Sequence, residues 1–194
     1  MSDPIGRTAY GDAPLSSAKN PDARASLVAD EKVSRHDTLV GRTVSIERPR
    51  EELYAFWRDF RNLPRFMENI ESVVVGDDRR SHWVVAAPGE KSVEWDSVIT
   101  EDVRNQRIVW TSAEGADVRN DGQIEFRDST NGRGTIVTAT IVYHPPGGAL
   151  GKAVAKLFQR EPNIQARRDL RRFKQLMETG EVSTTEPQVA APRG

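Results

Sequence analysis

The 194-residue chain contains no cysteine. That absence excludes disulfide staples, thiol nucleophiles, iron–sulfur clusters and thiolate zinc sites together, so the fold has to rest on a hydrophobic core. Histidine is scarce, with 3 residues, His36, His82 and His144. They form no His-x-x-x-His or carboxylate-interleaved group, so neither a metal site nor a cofactor is expected. No run approaches the roughly 18 consecutive apolar residues of a membrane helix. An excess of one charge is also missing: 28 Lys and Arg stand against 29 Asp and Glu, a formal net charge of −1. This argues against a surface devoted to polyanions, and no aromatics interleave with basic residues as single-stranded nucleic acids require, so nucleic acid is not an expected partner. The N-terminus lacks the apolar centre of a secretory signal and the acid-poor character of a transit peptide, which reads as a cytoplasmic protein.

Residues 1–38 mix Gly, Pro, Ser, Asp and Arg around a single aromatic residue, Tyr10. Such a stretch buries too little apolar surface to offset chain ordering and reads as a disordered tail. Residues 180–194, with Ser183, Thr184, Thr185, Pro187 and Pro192, read as a second tail. The expected ordered core is 39–179, long enough to bury about two-thirds of its unfolded-chain surface.

Within it, Thr43 to Glu47 alternates with β-branched residues and predicts a strand ending before Pro49. Leu53, Phe56, Trp57 and Phe60 follow at i, i+3, i+4 and i+7, one face of a helix begun by Pro49 with Glu51 and Glu52 in its first turn. Asn62 and Pro64 open a second short turn carrying Leu63, Phe66 and Met67. Strands come next: Val73 and Val75 before a Gly76-Asp77-Asp78 turn, then Trp83, Val85 and Ala87 up to Pro88-Gly89. In the next strand Val93, Trp95, Ser97 and Ile99 share one face and Glu94 and Asp96 the other. Ile108, Trp110 and Ser112 mark another. Gly122, Ile124 and Phe126 follow an Asn120-Asp121-Gly122 turn, and Val137, Ala139, Ile141 and Tyr143 follow Asn131-Gly132. Turns this short connect antiparallel strands. After Pro145 to Gly148, a helical stretch bearing Leu150, Val154, Leu157 and Phe158 breaks near Pro162 and resumes with Ala166, Leu170, Phe173 and Met177 on one side. The expected fold class is α+β: a curved antiparallel sheet facing one long C-terminal helix, with two short helices after the first strand.

The stretch from Pro49 to Met67 resembles the opening of the SRPBCC superfamily, in its polyketide cyclase/dehydrase and START-like (coenzyme Q-binding-type) branch. Val93-Glu94-Trp95-Asp96, Ile108-Val109-Trp110 and Leu170 to Lys174 fit the same pattern in order. The resemblance implies a helix-grip fold of the START and birch-allergen kind, with an apolar cavity between sheet and C-terminal helix. Members of that superfamily bind lipids, sterols, isoprenoid quinones, plant hormones or aromatic polyketides, and some cyclise or dehydrate them. The shared motifs are structural, so they give a ligand class and not a reaction.

Read with that fold, the expected ligand-cavity lining is Trp57, Phe66, Trp83, Val85, Trp95, Ser97, Ile99, Trp110, Ser112, Phe126, Ile141, Tyr143, Phe158, Phe173 and Met177. Any one ring reads as ordinary core, whereas the set on a sheet that must curve around one helix reads as a cavity wall. Ser97, Ser112 or Tyr143 is placed to orient one polar end of a ligand.

No catalytic residue is expected. Glu94 and Asp96 stand at i and i+2, but Trp95 claims the inward face and turns both acids to solvent. Asp59 and Asp117 have no base or nucleophile beside them, and Ser81 beside His82 lacks the glycine-flanked elbow of a hydrolase. The Gly147-Gly148-Ala149-Leu150-Gly151-Lys152 stretch fails the phosphate-loop pattern, with Pro146 in place of the first glycine and Ala153 in place of the Ser or Thr. Lys152, Lys156, Arg160, Arg167, Arg168, Arg171, Arg172 and Lys174 make the C-terminal helix basic. A solvated face near the negative end of the helix dipole is the preferred reading, with transient membrane-surface contact as its strongest alternative. The expectation is a non-catalytic binding or carrier protein for a small hydrophobic molecule. The competing classes are a polyketide-type aromatase/cyclase or dehydratase, and an interaction module with a vestigial pocket.

Overall fold

The structure is a computed structural model describing residues 38–87, 91–116, 118–130, 132–144 and 162–182. The element order is β1 (Thr38–Ile46), α1 (Arg50–Arg58), a 3-10 helix (Phe60–Arg65), β2 (Ile70–Val75), β3 (Arg80–Ala87), β4 (Lys91–Val103), β5 (Arg107–Ser112), β6 (Arg119–Asp128), β7 (Thr135–His144) and α2 (Pro162–Thr179). The strands form one seven-stranded sheet in the order β1-β7-β6-β5-β4-β3-β2, antiparallel throughout. Strands β2 to β7 are a meander, while β1 joins the far edge beside β7. The α1 and 3-10 segment therefore carries the chain from one edge of the sheet to the other.

Register shifts in β4 between Ile99 and Glu101 and in β2 between Ile70 and Ser72 add residues to one strand of a pair. Such bulges bend a strand and increase its twist, and here they curl the sheet toward the helices. On the inner side α2 presses Leu170, Phe173, Leu176 and Met177 into the core with Val44 and Ile46 of β1. Its C-terminal end is fixed by Arg48, whose Nε donates to the Met177 carbonyl at 2.8 Å and Nη2 to the Glu178 carbonyl at 3.1 Å. Lys174 Nζ donates to the Ser45 carbonyl at 2.8 Å, and the Glu47 N–H to Glu178 Oε1 at 2.7 Å. The Arg48 guanidinium thus meets the helix end that carries unpaired carbonyls and negative partial charge, while Lys174 ties the helix to β1. The predicted helical stretch around Leu150 to Phe158, and both predicted tails, lie outside the described residues except for Thr38 and 180–182.

Two boundaries differ from the sequence reading. The second helical turn starts at Asp59, not Asn62: the Asp59 side chain accepts from the Arg61 N–H at 3.2 Å and caps the 3-10 helix, which takes Phe60 out of α1. Asn62 instead closes α1, its Nδ2 donating to the Phe56 carbonyl at 3.0 Å. The Asn120-Asp121-Gly122 tripeptide, a turn signal by composition, lies inside β6. Its glycine is there because the Trp110 indole lies against it: a Cβ at Gly122 would sit 2.1 Å from Trp110 Cζ2.

The β6–β7 hairpin depends on a second glycine. Gly134 has φ +73°, and a Cβ there would lie 2.1 Å from the Ile46 carbonyl oxygen, whereas Gly132, with φ +70°, has open space around it. Gly132→Ala is expected to cost about 1–2 kcal/mol for the left-handed backbone alone. Gly134→Ala adds a backbone collision and is expected to cost roughly 2–4 kcal/mol. Urea denaturation of both variants checks this; equal losses would contradict it.

Candidate functional site

Cross-strand register builds the inner face row by row. Trp83 of β3 lies opposite Trp95 of β4, their rings stacked at 6.1 Å and 14°. Val85 faces Val93 beside them, and Ile99 faces Trp110 of β5. Phe60 of the 3-10 helix packs edge-on against both Trp83, at 5.4 Å, and Trp110, at 5.9 Å. Of the expected lining, Trp83, Val85, Trp95, Ile99 and Trp110 lie together on this face, and Phe60, read in sequence as part of the α1 face, packs against it.

Indole N–H groups buried in such a wall need acceptors, and the same face supplies them. Trp83 Nε1 donates to Ser81 Oγ at 2.8 Å, and Trp110 Nε1 to Asn120 Oδ1 at 3.3 Å. Ser81 and Asn120 lie at the two ends of one lateral row, Ser81–Ser97–Ser112–Asn120, which crosses β3, β4, β5 and β6. The Asn120 N–H donates to Ser112 Oγ at 2.9 Å. Ser97 is 1% exposed and its hydroxyl has no partner among the described residues. Ser112 and Ile141 keep partial exposure, while Trp110 and Asn120 beside them are buried. Tyr143 stands in β7 opposite Asn120. Its side chain and the whole of Phe158 lie outside the described residues.

The remaining expected lining residues pack differently. Trp57, Phe66 and Phe173 form a mutual cluster with centroid separations of 5.2, 5.0 and 4.9 Å, and Phe66 and Phe173 expose no surface. Met177 is buried in α2, and Phe126 meets Tyr54 edge-on at 6.0 Å.

Two carboxyl groups that sequence reasoning did not single out lie at junctions of this core. Asp102, on the inner face opposite Ile108, accepts a short hydrogen bond from the Tyr54 hydroxyl and another from Arg58 Nε at 2.6 Å. Burial, reinforced by the Asp102 hydrogen bond and charge, pushes the Tyr54 hydroxyl up to about 12. It stays neutral and donates. Asp169 of α2 accepts from Gln165 Nε2 at 2.9 Å. Burial pushes its carboxyl up to about 7, with the nearby Glu68 carboxylate acting in the same direction, while the Gln165 and Glu68 N–H bonds and Arg172 pull it down. Glu68 in turn pairs with Arg172 and, at 3.3 Å, with Arg168. Asp169 was illegible because, in sequence, it is one acid among helix arginines.

Outside the inner face, Glu94 and Asp96 point to solvent as expected, and His82 joins them with Nδ1 2.8 Å from Asp96 Oδ1 and Nε2 3.5 Å from Glu94 Oε2. Asp59 is a helix cap whose carboxyl is held below its usual range, chiefly by the Arg61 side chain. Asp77 is lowered by the backbone N–H groups of Arg79 and Arg80 in the β2–β3 turn. Two open depressions, of about 320 and 590 Å³, flank the start of α1 and are lined largely by Arg, Glu and Asp side chains. No helix among the described residues is long and apolar enough to cross a membrane.

Residues 46–171 match the family model described as polyketide cyclase / dehydrase and lipid transport. The chain belongs to this family. A crystal structure from Deinococcus radiodurans is 39% identical, covering 74% of this chain and 98% of that one, with a TM-score of 0.61. The Zhui aromatase/cyclase of a Streptomyces species is 14% identical over 76% of this chain and all of its own, with a TM-score of 0.58, and shows the shared helix-grip fold. A curated relative, an uncharacterised 17.2 kDa protein of Streptomyces lincolnensis, is 29% identical over 140 residues, 72% of this chain and 89% of its own. The curled sheet with its C-terminal helix is thus the family fold, and the polyketide cyclase/dehydrase resemblance holds.

The Asp169 carboxyl offers a pH test. Its folded-state pKa lies above the unfolded value of about 3.9, so the native state binds more protons between these values, and stability falls as pH rises from about 4 to about 7. Asp169→Asn is expected to flatten that segment of the profile of urea midpoint against pH. A parallel decline in both proteins would contradict the assignment.

Proposed function

We propose that this protein binds and carries a small hydrophobic molecule, a lipid, isoprenoid or aromatic compound, against the inner face of the sheet. One observation supports this above the others. Trp83, Trp95 and Trp110 share one face of three adjacent strands, and the indole hydrogen bonds of Trp83 and Trp110 are satisfied within that face. Such a wall carries ring surface for a guest to stack on, with the N–H groups of Trp83 and Trp110 already paired. In this reading Trp83, Val85, Trp95, Ile99, Trp110, Phe126 and Ile141 form the wall. Trp57, Phe66, Phe173 and Met177 form the closed floor under α2. Burial of apolar surface at about 25 cal/mol per Å² supplies the affinity.

A cyclase or dehydratase needs an inward acid or base free to reach substrate. Asp102 is engaged by Tyr54 and Arg58, and Asp169 by Gln165 and Glu68. Those engagements favour the carrier over the enzyme. The family description itself spans both activities.

Native mass spectrometry of protein purified from its host is expected to show a co-purifying hydrophobic molecule. Trp95→Ala is expected to weaken the binding of N-phenyl-1-naphthylamine about tenfold, through lost stacking and burial. Absence of both a guest mass and dye binding would overturn the reading.

A further inference from the structure

We infer that the row Ser97–Ser112–Asn120 reads the polar end of the ligand, and that it selects a guest with an accepting oxygen over a plain hydrocarbon. This rests on the carrier reading and adds to it the chemistry of the group recognised and a residue, Asn120, that composition assigned to a turn.

The selectivity follows from which atoms of the row are already engaged. An indole N–H can only donate, so the Trp110 Nε1 contact at 3.3 Å fixes which end of the Asn120 amide faces the ring: the oxygen. The two amide protons then face the other way. Ser112 Oγ receives the Asn120 backbone N–H at 2.9 Å, which turns the Ser112 hydroxyl proton away from that bond. Ser97, between Ser81 and Ser112 in the row, holds a buried hydroxyl with no partner among the described residues, an arrangement that costs free energy unless something completes it. The protein's own donors therefore occupy one acceptor site each on Ser112 and Asn120, while the Asn120 amide protons and the Ser97 and Ser112 hydroxyl protons are left for a guest. An accepting oxygen, such as that of a ketone, ester or quinone, matches those donors, and a plain hydrocarbon leaves them unmet.

Position supports the same conclusion. The row adjoins the Trp83–Trp95 stack on one side and Trp110 on the other, and partial exposure on this face is found at Ser112 and Ile141. A flat guest lying on the indoles brings one edge to the row.

The test uses three molecules of one skeleton, 9-fluorenone, 9-fluorenol and fluorene, with the full-length protein and its tryptophan fluorescence as readout. Fluorenone is expected to bind about tenfold more tightly than fluorene, and fluorenol also more tightly than fluorene. Asn120→Asp keeps an oxygen for Trp110 Nε1 but removes the amide protons, and is expected to abolish the ketone preference, read as the ratio of fluorenone to fluorene affinity. Circular dichroism checks that the variant folds. Ser97→Ala removes an unpartnered hydroxyl, is expected to keep full stability, and should reduce the preference about threefold, so it carries the test if Asn120→Asp prevents folding. Equal binding of ketone and hydrocarbon, equal binding of alcohol and hydrocarbon, or a ketone preference that survives these substitutions would overturn the row's role while leaving the carrier reading standing. Failure of all three probes to bind would remove both.

Discussion

Burying a large indole costs free energy unless its N–H finds an acceptor, and that cost organises the inner face of this sheet. Trp83 and Trp110 are met by Ser81 and Asn120, residues of the same wall, so the helices above need supply no polar group to them. The antiparallel register makes this work, because it sets Ser81, Ser97, Ser112 and Asn120 in one line across four strands. Trp57, by contrast, carries a buried indole N–H without a partner among the described residues, inside its packed ring cluster. The cost of that unmade bond is set against dense aromatic packing.

The inner side is therefore divided. Toward the end of α2 the core is closed by Trp57, Phe66 and Phe173, and the helix is fastened to the β1–α1 junction by Arg48, Lys174 and Glu178. Toward the serine and asparagine row, side chains of the sheet keep some accessibility and unspent hydrogen-bonding capacity. Between α2 and the segment after the 3-10 helix, Glu68 gathers Arg168 and Arg172, and Asp169 sits beside them with a carboxyl that protonates near neutrality. Three of the basic residues that give α2 its charge, Arg168, Arg172 and Lys174, are thus engaged in ion pairs within the fold.

The sheet was legible because its strands obey a period of two: Trp83, Trp95 and Trp110 could be assigned to one face, and Glu94 and Asp96 to the other, from alternation alone. The long helix was legible from the spacing of Leu170, Phe173 and Met177. Asn120-Asp121-Gly122 was misread because its composition is that of a turn, and only a neighbouring strand reveals why a glycine belongs there, namely the ring of Trp110 lying on it. The role of Asp59 as a cap was hidden by the stronger signal of Asn62 and Pro64. Asp102 and Asp169 gave no local signal at all, since the partners that define them are distant in sequence, at Tyr54, Arg58 and Glu68.

The central claim is that a guest lies on the tryptophan wall of the sheet and not in the ring cluster under α2. The four tryptophans provide separate indole N–H resonances, so a titration with fluorenone followed by two-dimensional nitrogen–proton NMR reads the two regions independently. The account predicts shifts for Trp83, Trp95 and Trp110 with Trp57 left in place; shifts confined to Trp57, or none at saturating probe, would contradict it.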